Sequence, residues 1–295
     1  MARTSLSHRI LTRLAGISRT IVADWRLHIE CVADAVELNA PIPEPTRVTQ
    51  LANRMLKNGE LKSYPGIRGV YRVVVPYAAC IPFADEVVIQ EAHPKAVLSH
   101  FSAMAAHGLT FDVPREMRFT ILEGGERVPP GTSSSDWLDV PAAKCRKPLS
   151  LNDRKVVWNT TKSEWSFGVE VRMFGTHPVH ITNLEKTLID TLRSPKDCGG
   201  ASQVFAAWSR GIDRADISQV IWMGEKFDQR VLKQRLGFVL EELGASHPTL
   251  DRWSNEAVRG SSAVLVSGRK FATAHSEKWC LSINATDAEL GTLRG

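Results

Sequence analysis

Between Pro45 and Asn58 five side chains suited to reading a nucleic acid recur at helical spacing: Arg47, Gln50, Asn53, Arg54 and Lys57. A duplex is a dense line of negative charge, so a protein that reads it needs Lys and Arg for phosphates and amide or guanidinium groups for base edges. Arg47, Gln50 and Asn53 point the same way on the N-terminal half of the predicted helix, which Thr46 opens, where the readout residues of helix-turn-helix modules sit. Directly downstream, Lys62, Tyr64, Arg68 and Arg72 lie on a predicted hairpin and are expected to meet the backbone or the minor groove. The plainer alternative is a solvated polar face on a surface helix. The adjoining hairpin and the placement of charge favour DNA.

Other constellations are weaker. His93, His100 and His107 recur every seven residues, two helical turns or about 10 Å, too far apart to share one ion. His177 and His180 have HxxH spacing without a neighbouring Cys or carboxylate pair, so both sets read as structural. Cys198-Gly199-Gly200 lacks the Gly-Lys-Ser/Thr tail of a phosphate loop and reads as a tight connector. No GxSxG, HExxH or H-x-E with PCxxC is present. A metal-dependent nuclease using Glu164 or Glu170 with Lys155 or Lys162 on adjacent strands is an alternative, as is a non-catalytic protein-interaction module. The expectation is a protein that is not an enzyme, and no motif asks for a metal or a cofactor.

The elements that must position these residues follow from patterning. Residues 5 to 15 and 20 to 38 are helix-compatible, and the Pro41, Pro43, Pro45 run forces a turn because proline disfavours helix before it and cannot donate within one. The next helix, 46 to 57, buries Val48, Leu51, Ala52 and Met55, and Asn58-Gly59 stops it. Leu61 to Tyr64 and Val70 to Val74 flank Pro65-Gly66 and Gly69 as a hairpin. Helix, turn, helix, hairpin is the order of a winged helix-turn-helix. A linker is expected over 77–86, then a strand at Val87 to Ile89 and a helix opened by His93-Pro94 and closed at Gly108. Strands are predicted at 117 to 122, 154 to 159, 167 to 174 and 178 to 181. Thr182 to Glu185 reads as a capping box for a helix that Pro195 ends. Helices follow at 201 to 210, at 215 to 222 and from an Asp228 cap to Gly244, with strands at 262 to 266 and 279 to 283. The fold class is α+β: a DNA-binding domain over 1–76, the linker, and a larger mixed α+β effector domain over 87–295.

Composition agrees. Of 295 residues, 43% are hydrophobic and 23% charged, values that supply a core and exclude a disordered or fibrous chain. The longest apolar runs, such as that around Val73 to Val75, fall far short of the ~18 to 20 residues of a membrane span. Five scattered cysteines, never in a CxxC pair, fit neither a disulfide scaffold nor a zinc ribbon, and a reducing cytoplasm is expected. Formal net charge is +5 and is not spread evenly. Residues 1 to 80 hold eleven Lys and Arg against six Asp and Glu, and the rest balance at twenty-six each.

Four segments, "GELKSYPGIRGVYRV" (59 to 73), "AVLSHFSAMAAHGLT" (96 to 110), "ITNLEKTLIDTLRSPKDCGG" (181 to 200) and "LKQRLGFVLEELG" (232 to 244), resemble AbiEi-type antitoxins in content and order. The chain carries a longer segment before Pro41 than the short-form pattern. The resemblance implies an N-terminal winged helix that binds inverted repeats in its own promoter as a transcriptional autorepressor. It also implies a C-terminal domain that counteracts a nucleotidyltransferase-like AbiEii toxin in a phage-defence operon. The positions matching the family's basic DNA face are Arg47, Gln50, Asn53, Arg54, Lys57 and Arg68. Partners are then double-stranded operator DNA and the toxin, with no membrane.

Overall fold

A computed structural model describes residues 5–75, 78, 81–123, 127–258 and 263–294. The chain is mixed α+β and divides into two compact units. The first is Met1–Val97 with Thr120–Thr160 and Val171–His180; the second is Leu98–Phe119 with Thr161–Glu170 and Ile181–Gly295.

The first unit opens with α1 (Leu6–Gly16), which Ser5 caps by accepting from the His8 N–H. Strand β1 (Ile21–Ala23), helix α2 (Asp24–Glu37) and helix α3 (Pro45–Lys57) follow, then β2 (Leu61–Ser63) and β3 (Val70–Val73). The three strands form an antiparallel sheet in the order β1-β3-β2, with Leu61 opposite Val73 and Ile21 opposite Arg72. The expected helix over 20 to 38 therefore starts late. Ile21 and Val22 are β-branched and satisfy their backbone against β3, and Asp24 sits in the first turn of α2, where a carboxylate favours the helix dipole. Strand alternation gives the sheet two distinct faces. Val22, Leu61 and Val73 join Ile10, Leu14, Leu27, Val48, Leu51 and Met55 in one core.

On the other face α4 (Asp85–Ala92) packs on β1. This helix corrects the strand expected at Val87 to Ile89. A short apolar run fits a buried helix as well as a strand, and Asp85 and Glu86 in the first turn favour the helix. Residue 76 and residues 77, 79 and 80 of the expected linker lie outside the described residues.

The helix expected from His93 to Gly108 is also corrected. Val97–Leu98 form β4, Leu98 pairing in parallel with Ile181, and only His100–Ala106 is helical (α5). Strands β5 (Glu116–Leu122), β6 (Ser150–Leu151), β7 (Arg154–Thr161), β8 (Val169–Phe174) and β9 (His177–Thr182) complete a six-stranded mixed sheet in the order β6-β7-β5-β4-β9-β8.

The second unit is built on helices α6 (Leu184–Arg193), α7 (Ala201–Gly211), α8 (Ile217–Phe227) and α9 (Arg230–Glu242). Leu188, Phe205, Trp208, Val220, Leu236 and Trp279 lie in their shared core. The cap of α6 is Asn183, whose side chain accepts from the Lys186 N–H, whereas Thr182 belongs to β9 and shares a hydroxyl contact with Thr187. Asp228 does not cap α9; it ends α8 with a left-handed φ of 48°, and Gln229 precedes α9. Helices α10 (Pro248–Asn255) and α11 (Asp287–Arg294) lie where no helix was expected. Of the strands expected at 262 to 266 and 279 to 283, residue 262 lies outside the described residues. Val264 makes a single bridge to Ser282, and β11 is confined to Leu281–Ser282, pairing with β10 (His275–Ser276).

Candidate nucleic-acid interface

Helix α3 starts with Pro45 at its first position, where the missing N–H costs nothing, and ends at Asn58 with Arg54 and Lys57 in its last turn. Its four buried residues, Val48, Leu51, Ala52 and Met55, hold one side against the core. At 3.6 residues per turn, Arg47, Gln50, Arg54 and Lys57 fall within one arc of about 80°. These four, with Thr46 and Asn53, are all exposed.

Four acids of this unit are committed to arginines outside α3. Arg9 pairs with Asp34 at 2.8 Å and Arg13 with Glu30 and Glu37 at 3.0 and 2.6 Å. Glu91, buried, takes Arg26 at 2.7 Å and Arg19 at 3.5 Å and also accepts the Ala23 N–H. The cations that sequence counting spread over the first 80 residues therefore separate into two groups. Those at 9 to 26 are neutralised within the fold. Arg47, Arg54, Lys57, Lys62, Arg68 and Arg72 make no ion pair with a described residue.

The hairpin residues are divided among different surfaces. Arg68 is exposed in the turn between β2 and β3. Gly69 holds that turn at φ +75°, and a β-carbon there would run into the carboxylate of Asp24 and the guanidinium of Arg146. Asp24 also accepts from the Tyr71 hydroxyl at 2.7 Å, fastening the hairpin to the start of α2. Lys62 and Arg72 are cross-strand partners on the sheet face away from the α1–α3 core. Arg72 lies over the Phe83 ring at 5.7 Å, and Tyr64 meets the same ring edge-on and accepts from the Asn152 amide at 3.4 Å. The α3 residues thus share one arc of their helix, while Tyr64 and Arg72 are engaged by aromatic and amide groups of their own unit.

One basic element escaped sequence reasoning. Lys144, Arg146 and Lys147 stand in an irregular segment that also contains exposed Cys145. Its Arg146 N–H donates to the Ala92 carbonyl at 2.8 Å, and its guanidinium lies 4.0 Å from Asp24. Lys144 and Arg146 line a pocket of about 150 Å³ together with Pro45 and Thr49 of α3 and Gly69 of the hairpin turn. The signal was present as three cations in four residues with no acid between Pro141 and Pro148, but it sits in a part of the chain whose overall charge is balanced.

The histidines that the sequence spaces regularly are held by ring packing and backbone contacts. His93 stacks near Trp158, His107 meets the Thr182 carbonyl at 2.7 Å, and His177 accepts from the Thr20 N–H at 3.2 Å. Burial pushes the pKa values of His93, His177 and His180 down to about 4, so these rings are neutral. Lys162 and Glu164 form an exposed pair at 3.5 Å. Among the described residues no group of three or more His, Cys, Asp or Glu side chains is placed to hold a metal, and no helix is long and apolar enough to cross a membrane.

The fold defines a mixed α+β protein. No family model and no curated protein matches the chain. Among solved structures, that of the RV2827C protein from Mycobacterium tuberculosis is similar in fold, with a TM-score of 0.53 and 12% identity over 98% of this chain and 94% of that one.

Proposed function

We propose that α1 to β3 form a winged helix-turn-helix that reads double-stranded DNA through α3. The observation that carries this reading is the exposed side of α3, where Arg47, Gln50, Arg54 and Lys57 stand together without an acidic neighbour claiming them. The order helix, strand, helix, helix, strand, strand with sheet order β1-β3-β2 supports it, because it leaves one face of the third helix unpacked. Thr46 and the first turn of α3 meet a phosphate, Arg47, Gln50 and Asn53 meet base edges, and Arg54, Lys57 and Arg68 hold the flanking backbone. The target is an operator of inverted repeats, each half read by one copy of the module, with half-sites one helical turn or a multiple apart.

The larger part of the chain acts as a non-enzymatic effector, the antitoxin of an AbiEi-type pair, restraining a nucleotidyltransferase-like toxin made from the same operon. The four-segment resemblance in the sequence supports this. Two assays test the proposal on the full chain. In a mobility-shift competition, DNA from upstream of its own coding sequence should be bound at least 10³-fold more tightly than random DNA at physiological salt. In cells, co-expression should rescue growth from the neighbouring toxin. Equal affinity for random DNA, or plasmid cleavage on addition of magnesium or manganese, would overturn it.

A further inference from the structure

A second concentration of arginine lies in the second unit, remote in sequence from α3. Arg193, Ser194, Gln229, Arg230, Val231, Leu232 and Arg235 line a cavity of about 430 Å³. That volume falls in the range of small-ligand pockets.

The charges around it do not cancel. Asp190, fully buried, is gripped by Lys186 at 2.7 Å through both oxygens and by Arg193 at 3.1 Å, so one carboxylate answers two cations. Arg230 is exposed and makes no ion pair with a described residue. Arg235 is only 8% exposed and has no carboxylate partner. Its Nε donates to the Val264 carbonyl at 2.8 Å and its Nη1 to the Leu192 carbonyl at 3.2 Å, leaving Nη2 unbonded to any described residue. Burial lowers its pKa only to about 10, so it stays charged at neutral pH. A buried cation without a counter-charge is costly, and a bound anion offsets that cost.

The backbone adds to the same field. Helix α9 begins at Arg230, Gln229 provides no side-chain cap, and Arg230, Val231 and Leu232 of the first turn line the pocket. Such a terminus favours anions. Arg193 is stiffened by the Trp165 and Phe227 rings, at 4.7 and 4.1 Å, which fixes its guanidinium at the pocket edge.

We infer that this cavity is an anion site for a phosphate chain, the di- or triphosphate of a small molecule such as a nucleotide, held by Arg193, Arg230, Arg235 and the start of α9. Planar guanidinium groups bind phosphate oxygens in pairs, and several of them spaced around a pocket select an extended polyanion over a single phosphate.

The inference stands apart from the DNA reading, and the experiment keeps the two separate. Inorganic pyrophosphate is titrated into the full chain at low salt by calorimetry, with adenosine triphosphate as a second arm that reports whether a nucleoside adds affinity. One saturable site with a sub-millimolar Kd is expected for pyrophosphate, with inorganic phosphate at least tenfold weaker. Arg230→Gln combined with Arg193→Gln should weaken pyrophosphate at least tenfold. Arg230→Gln alone, at an exposed position that leaves the core intact, should weaken it about threefold. Arg47→Gln with Arg54→Gln on α3 should leave it unchanged. No saturable binding, or binding lost with the α3 pair and kept in the Arg193, Arg230 pair, would overturn the inference.

Discussion

The salt dependence of DNA binding measures the proposed interface directly, because each phosphate that a cation neutralises releases counterions. Arg54 and Lys57 on α3, Arg68 in the hairpin turn and Lys144 beside the first turn of α3 are all exposed and free of acidic partners. Four such contacts give a slope of about −3.6 in log K against log salt. Raising salt from ~50 to ~200 mM should then weaken operator binding about 150-fold. Lys57→Gln with Lys144→Gln removes two contacts, should flatten the slope to about −1.8, and should reduce the same loss to about 12-fold. Fluorescence anisotropy with a labelled operator duplex across four salt concentrations gives both slopes. Arg47→Ala with Gln50→Ala should leave a steep slope but erase the preference for the operator over random DNA. A wild-type slope shallower than −2, or a double Lys variant with an unchanged slope, would refute the assignment of these side chains to phosphates.

Three further outcomes follow from the packing. Glu91→Ala leaves Arg19 and Arg26 buried without their counter-charge and should cost about 3 to 5 kcal/mol, read as a fall in thermal midpoint, with a loss under ~1 kcal/mol counting against the network. Gly237→Ala should destabilise although alanine favours helix by about 1 kcal/mol, because the added methyl meets the buried Trp279 ring, an overpacking cost of about 1 to 3 kcal/mol; urea unfolding that shows a more stable variant would contradict it. His93, His177 and His180 are held neutral with pKa values near 4 against an ordinary 6.5, so unfolding takes up protons as pH falls. Their contribution is complete above pH 6.5 and is lost towards pH 4, so stability should drop by roughly 2 to 4 kcal/mol between pH 7 and pH 5.5, whereas equal urea midpoints at the two values would exclude it.

The legibility of the fold varied with the physics of each segment. The α3 stripe of Val48, Leu51, Ala52 and Met55, the hairpin turn at Pro65-Gly66 and the strands around Phe119 and Val156 were readable because periodicity and turn chemistry are local. Ile21 to Ala23 and Val97-Leu98 were not, since their strand form depends on partners about 50 and 80 residues away. Val87 to Ile89 went astray for a different reason: a run buried on every side carries no period that separates helix from strand.

By itself the sequence determined that the excess positive charge lies in the first quarter of the chain and that a helix with one polar, basic side ends at Asn58. Counting cannot tell a charge that is spent from one that is available. Only the tertiary structure decided that Arg9, Arg13, Arg19 and Arg26 are consumed by Asp34, Glu30, Glu37 and Glu91, the last brought in by α4 packing on β1. It also placed Lys144 and Arg146 beside α3 across some 90 residues of sequence, and set Lys62 and Arg72 on the far face of the sheet. Ion pairing falls off within a few ångströms, so which cations are left to meet a polyanion is a property of contacts that the fold makes.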